Sequence, residues 1–263
     1  MSAPTYGQMW PRYARQWDAM VVKRPDTVRA VAERIIRHKA KYQAVEKLTG
    51  VPWYWIGPAH IRESDGDFKT SLAQGDRWDR MSVHVPRGRG PFLSWEDAAF
   101  DALVTLKRMN QVQDWRLEKL IYWWELYNGW GYHNRGIPSP YVWGSTSIQK
   151  SGKYIADGLW SSTAWDSQLG CAAMLSEMMK LDPSIRPERE TADDMIPKLP
   201  DGVRTPTKQP QMSPRTKSIG IGASIVAFVA VVAAWADAHP WLIVGAVAVA
   251  VAAVILAIRQ MEK

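Results

Sequence analysis

Two runs in the C-terminal part of the chain contain no charged side chain: IGIGASIVAFVAVVAAWA over residues 219–236 and WLIVGAVAVAVAAVILAI over residues 241–258. Each is 18 residues long, and only Asp237, Ala238, His239 and Pro240 separate them. At about 1.5 Å of rise per residue, such a run is just long enough to cross the hydrocarbon of a bilayer as a helix. Neither run has the polar face that a helix packed on a soluble core would keep. The pattern predicts a transmembrane helical hairpin, whose Ala, Val and Gly surfaces suit close contact between helices. Lys208, Arg215 and Lys217 precede the first run, and Arg259 and Lys263 follow the second. That bias places both ends on the cytoplasmic side and the short turn outside.

A hairpin of this kind makes everything before it a tethered domain. Residues 187–218 are rich in Pro, Thr, Lys and Asp with few aromatics, and read as a linker. The domain then covers residues 1–186. Its first residues, MSAPTYGQMWPRYARQW, contain no apolar stretch of signal-peptide length, so the expectation is synthesis in the cytoplasm without conventional secretion. Cys171 is the sole cysteine, which excludes a disulfide within the chain, and its setting in LGCAAML reads as a buried helix face. The five histidines are scattered, with none in an i,i+4 pair or beside the cysteine, so no metal site is expected. No cofactor motif is present either.

Helical spacing dominates the domain. Asp26 is expected to cap one long helix running to Gly50, with Val28, Val31, Ile35 and Ile36 on its buried side. Pro52 opens a second helix, PWYWIGPAHIRE. The segment FKTSLAQGDRWDRMSVHVPRGRGP is too rich in Gly, Asp and Arg for a helix, and its MSVHV alternates like a short strand. Ser94 caps the next helix, with Asp97 three residues on. Asp114 is expected to cap DWRLEKLIYWWELYNG, and residues 164–181 form a last amphipathic helix. The fold class predicted is mainly α, with one small irregular or β-containing lobe inserted after the Pro52 helix.

The net charge of +7 favours an anionic partner, whether nucleic acid, lipid headgroup or wall polymer. No nucleic-acid recognition motif is present, so nucleic acid is not the expected partner. Of 15 tryptophans, all but Trp235 and Trp241 precede residue 166. Some of that excess is core; the rest suits a groove in which sugars stack.

Cleavage of a glycosidic bond needs a carboxylic acid that keeps its proton near neutral pH. Glu63 follows Trp53, Tyr54, Trp55 and Ile56 at the end of a helix and faces an Asp/Gly-rich lobe, where desolvation would raise its pKa. The alternative is a helix-end carboxylate paired with Arg62. Asp65, Asp67, Asp76 and Asp79 lie close in sequence as candidate second carboxylates, and Asp76 is the one selected here. Thr70 and His60 are candidates to orient the acid. Further on, YWWELYNGWGYHNRGIPSPYVWGS sets Tyr127, Asn128, Tyr132 and Tyr141 among glycines, offering neutral hydrogen bonds to hydroxyl and acetamido groups. Arg77, Arg80, Arg87, Arg89 and Arg135 could attract the carboxylates of an anionic wall polymer.

Taken together, Glu63-Ser64 at a helix end, Phe68, and Tyr127-Asn128-Gly129 after a helix resemble the lysozyme superfamily, especially its lytic transglycosylase branch. The series IRESDGDF, SLAQGD, VHVPRGRGPFLSWEDAA, ELYNGWGY and IPSPYVWG is similar to bacteriophage and prophage endolysins, over roughly residues 50–180. The resemblance implies a two-lobed helical fold with a cleft. It also implies cleavage of the β-1,4 bond between N-acetylmuramic acid and N-acetylglucosamine, with Glu63 as the acid and Tyr127-Asn128 on the cleft wall. The Asp and Thr that short phage lysozymes carry nine and fifteen residues after the glutamate are Leu72 and Trp78 here. Where transglycosylases have Gly-Leu-Met-Gln, this chain has SLAQGDR, in which only Gln74 and Gly75 echo the pattern. Hydrolysis with Asp76 and release of an anhydro sugar are both compatible with that, and the carboxylate-rich lobe tilts the expectation towards hydrolysis.

The expected partners are peptidoglycan strands and the inner membrane of a bacterial host through residues 219–258, with a holin or a second copy as candidate contacts of the hairpin. The expected place of action is the periplasmic wall. Competing expectations are a non-catalytic, membrane-anchored wall-binding or virion structural module, and a holin-like lysis protein.

Overall fold

A computed structural model describes residues 3–73, 75–84, 86–156 and 158–191, all within one compact unit, Met1–Pro197. The predicted hairpin, residues 219–258, lies outside the described residues. Among those described, no helix is long and apolar enough to cross a membrane.

The unit is mainly helical. Helices α1 (Tyr6–Ala19), α2 (Pro25–Arg37), α3 (Lys39–Thr49) and α4 (Trp53–Ser64) come first, and α5 (Trp95–Phe100) runs on into a π-helical turn, Asp101–Leu106. A 3₁₀ turn at Met109–Gln111, helix α6 (Leu117–Asn128), a second 3₁₀ turn at His133–Arg135 and the short α7 (Pro140–Trp143) follow. An antiparallel hairpin of β1 (Lys153–Ala156) and β2 (Leu159–Ser161) precedes α8 (Cys171–Leu181).

The centre of the unit is α4, on which Trp53, Trp55, Ile56, Gly57, Pro58, Ala59, His60 and Ile61 are all buried. A helix apolar on every side must be enclosed. Helices α3 and α8 pack against it, and α6 is cross-linked to it by two indoles. Trp55 Nε1 donates to the Leu120 carbonyl and Trp124 Nε1 to the Trp55 carbonyl, both at 3.2 Å. Gly57 leaves room for Ile35 of α2, since a Cβ there would meet Ile35 Cγ2 at 2.4 Å. Gly144 and Gly170 cross backbone to backbone, the Gly170 amide donating to the Gly144 carbonyl at 2.9 Å. A Cβ on Gly170 would lie 2.3 Å from the Gly144 nitrogen. This crossing seats α7 against the start of α8.

Several sequence expectations are corrected. The helix predicted from Asp26 to Gly50 is two helices broken at His38, and its N-cap is Arg24 in the left-handed region, with Pro25 as first helical residue. Asp26 sits in the first turn instead, where its charge complements the helix dipole. Asp114 does not cap α6: the N-cap is Arg116, and Asp114 accepts from the Arg116 amide at 3.0 Å and from Lys119 Nζ at 2.6 Å. The last helix starts at Cys171 rather than residue 164, because the segment before it is extended and crosses Gly144.

MSVHV forms no strand among the described residues. The amides of Val83 and His84 turn to the Asp76 carboxylate, and Ser82 closes a loop with Arg89. The lobe is therefore irregular, with one isolated bridge, Thr70 to Arg77, and the small sheet lies elsewhere. Residues 187–190, expected in the linker, are bonded to the start of α6. The Leu117 amide donates to the Glu188 carbonyl at 2.8 Å, and buried Glu118 accepts from Arg189 Nε and from the Glu190 amide. The Ser94 cap is present, its hydroxyl accepting from the Asp97 amide at 3.1 Å.

Candidate functional site

Glu63 stands in the last turn of α4, which ends where Asp65 takes a left-handed conformation (φ 53°) and turns the chain into the irregular lobe. Half-buried, Glu63 receives a 2.8 Å hydrogen bond on Oε1 from the hydroxyl of Tyr141, a buried residue of α7. Burial raises the Glu63 pKa, against the pull of the Tyr141 bond and of the positive charges on Arg62 and Lys107. Tyr127 and Tyr141 are pushed well above the ordinary tyrosine range, by burial first and by the Glu63 charge second. Both therefore remain protonated donors.

Tyr127 connects the two sides of this corner. Its hydroxyl donates to the Leu72 carbonyl of the lobe at 3.0 Å. Lys107 Nζ donates to the Tyr127 carbonyl at 3.2 Å and lies 4.8 Å above its ring. The ammonium on that ring adds a positive charge that pulls the Glu63 pKa down.

Arg62 does not pair with Glu63. Its guanidinium bonds Asp166 at 3.1 Å and rests 5.0 Å from the centre of the Tyr141 ring. Burial works against the Asp166 charge, yet Arg62 holds that carboxyl below its ordinary pKa.

The other predicted site residues are dispersed. Asp76 accepts from the Val83 and His84 amides at 2.9 Å and from His84 Nδ1 at 2.6 Å. These bonds, the His84 amide foremost, hold its carboxyl below the ordinary range and commit it to the loop. The Thr70 hydroxyl donates to the Asp67 carbonyl at 3.0 Å. Gln74 lies outside the described residues. Asn128 is exposed at the end of α6, with Ser139 Oγ 3.5 Å away. Tyr132 packs edge-on against Tyr154 and Trp160, with centroids at 5.5 and 5.6 Å, in a cluster capped by Arg135. His60 is a core residue: burial lowers its pKa to about 4, and its ring bonds the Tyr42 hydroxyl and the Asp67 carbonyl.

Tryptophan serves mainly the core. Trp53, Trp55, Trp95, Trp124 and Trp143 are buried, whereas Trp165 is 57 % exposed. Arg77 and Arg89 are paired with Asp79 and Asp101, which reduces their part in attracting an anionic polymer. No group of His, Cys, Asp and Glu among the described residues could hold a metal ion.

Sequence reasoning missed two residues of this corner and one buried glutamate outside it. Lys107 and Asp166 lie far from Glu63 along the chain, and no motif surrounds either. The third is Glu125 on α6, fully buried, which receives a 2.6 Å bond from the Tyr13 hydroxyl on α1 and whose pKa is likewise raised by burial. A glutamate inside the apolar run LIYWWELY was the available signal for it.

Against family models, curated proteins and solved structures alike, the chain has no match.

Proposed function

We propose that this chain is a peptidoglycan-cleaving enzyme of the endolysin kind, acting on the β-1,4 bond between N-acetylmuramic acid and N-acetylglucosamine with Glu63 as general acid. The observation that carries the reading is the Glu63 carboxyl, half-buried at a helix end and held on one oxygen by Tyr141, where burial raises its pKa. A carboxylic acid in that state can give its proton to the glycosidic oxygen as the C1–O bond breaks and positive charge develops on the sugar. Tyr141 orients the carboxyl, and Tyr127 with Lys107 forms the neighbouring wall.

Two outcomes follow for the sugar cation. Water can add at C1 and lose its proton, or a hydroxyl of the muramyl residue can close on C1 and return a proton to the Glu63 carboxylate, leaving an anhydro end. The commitment of both Asp76 oxygens to His84 and Val83 favours the second outcome, because a carboxylate so engaged is poorly placed to activate water. Residues 219–258 would tether the enzyme to the inner membrane, with a holin or a second copy as contact, and keep it concentrated beside its substrate.

The test is digestion of purified peptidoglycan by the full-length protein, with fragments identified by mass spectrometry. Anhydro-muramyl ends support the single-acid route and reducing muramyl ends support hydrolysis. Failure to release any glycan fragment would overturn the enzymatic reading in favour of a binding module.

A further inference from the structure

Arg62 is an unusual neighbour for an acid. Its side chain is only 7 % exposed and its partner Asp166 only 3 %. Of its guanidinium nitrogens, Nη2 bonds Asp166, while Nε and Nη1 are sealed from solvent with no hydrogen-bond partner among the described residues. A buried ion pair seldom repays its desolvation in stability, least of all with donors left unmade. The guanidinium carbon stands instead over the Tyr141 ring, 5.0 Å from its centre, and the Tyr141 hydroxyl donates to Glu63 at 2.8 Å.

We infer that Arg62 is a positioning residue for Glu63. Clamped by Asp166 and held over the Tyr141 ring, it fixes the hydroxyl that orients the carboxyl, and its charge, opposed by Asp166, governs how readily the carboxyl keeps its proton. This rests on the reading of Glu63 as the general acid.

The clamp is itself well anchored. Asp166 Oδ1 accepts from the Gln168 amide at 2.9 Å, the Asp166 carbonyl accepts from Gln149 Nε2 at 2.8 Å, and Lys153 Nζ stands 3.7 Å from Oδ1. The charged and titratable groups acting on Glu63 come from every side: Arg62 on α4, Lys107 after the π turn, Tyr127 on α6, Tyr141 on α7 and Cys171 on α8. The three last stay neutral, their pKa values raised by burial. Arg62 and Lys107 are thus the cations that oppose proton retention, and Arg62 alone has a buried counter-charge that can be removed separately.

The experiment is an NMR titration of the full-length protein labelled with ¹³C at the glutamate carboxyls, the Glu63 signal being assigned by its absence in Glu63→Gln. Arg62→Met removes the cation and leaves Asp166 bare, so the Glu63 midpoint should rise. Asp166→Asn leaves Arg62 uncompensated, so the midpoint should fall. Arg62→Lys keeps the charge and loses the guanidinium over the Tyr141 ring. It should leave the midpoint near wild type while turnover drops about tenfold through misplacement of the acid. The Arg62→Met/Asp166→Asn double variant, neutral on both sides, should fall between the singles, and decides the matter if either single does not fold.

A strut that merely ties α4 to the chain before α8 would leave the turnover of folded Arg62→Lys at the wild-type rate, and that result overturns the inference. Unchanged midpoints in folded charge variants, or shifts of the same sign, overturn the inference. A Glu63→Gln protein that still cleaves peptidoglycan removes the acid instead, whatever the titration shows.

Discussion

Glu63 and Glu125 sit near the ends of α4 and α6, each among aromatic side chains and each held by one tyrosine hydroxyl, at 2.8 Å from Tyr141 and 2.6 Å from Tyr13. Burial raises the pKa of both. They differ in access. Glu125 has no exposed surface, and its second oxygen, Oε1, is sealed with no hydrogen-bond partner among the described residues. Glu63 occupies the last turn of its helix, half-open, with Lys107 and Arg62 on its flanks. A raised carboxyl in an aromatic pocket is therefore not sufficient for catalysis. Glu125 fastens α1 to α6, while Glu63 keeps part of its surface exposed.

Substitution by alanine should separate the two most clearly. Glu125→Ala strands the Tyr13 hydroxyl and opens a cavity in the core, costing about 2–4 kcal/mol in urea unfolding. Glu63→Ala should cost about 1 kcal/mol or less, because Glu63 is only half-buried and water can enter the space it leaves and meet the Tyr141 hydroxyl. Equal losses would erase the distinction.

The tyrosines sharpen the contrast. Tyr13→Phe leaves a buried carboxyl without its donor and should destabilise by about 1–3 kcal/mol with peptidoglycan cleavage unaffected at permissive temperature. Tyr141→Phe should act on the chemistry. Its bond favours the Glu63 carboxylate, so its loss raises the Glu63 pKa further and moves the alkaline limb of the pH–activity profile to higher pH. A downward shift would contradict the site geometry.

The smallest effect is on the pH dependence of stability. Both glutamates have folded-state pKa values above their unfolded ones. The stability each contributes is fully present below the unfolded glutamate value of about 4.3 and is lost as pH rises through the raised folded value. Glu125→Gln should accordingly lose less stability than wild type as pH is raised across that window. A parallel decline in both proteins would mean that Glu125 keeps an ordinary pKa.

The sequence made α4 and the place of Glu63 at its end legible because Pro52, the WYWI run and the Asp/Gly-rich exit all act locally. Tyr127 and Tyr141 were legible as a glycine-flanked aromatic segment. The break at His38 was not, since the apolar spacing runs on through it; its ring packs on Phe68 of the lobe, 5.0 Å away, a tertiary contact without local signature. Asp76 reads as a candidate second carboxylate because nothing local in the sequence shows that Val83 and His84 take up its oxygens. The β1–β2 hairpin was missed although Asp157-Gly158 between KYIA and LWS is a strong hairpin signal. Asp166 was beyond reach, being 104 residues from Arg62.

The central claim is that the Glu63 proton breaks the glycan. The most direct measurement is the rate at which purified peptidoglycan yields new muramyl ends with wild type and with Glu63→Gln, the two compared at equal melting temperature. Glu63→Gln should be slower by about a hundredfold to ten-thousandfold. A folded Glu63→Gln protein that releases those ends at the wild-type rate would contradict the account.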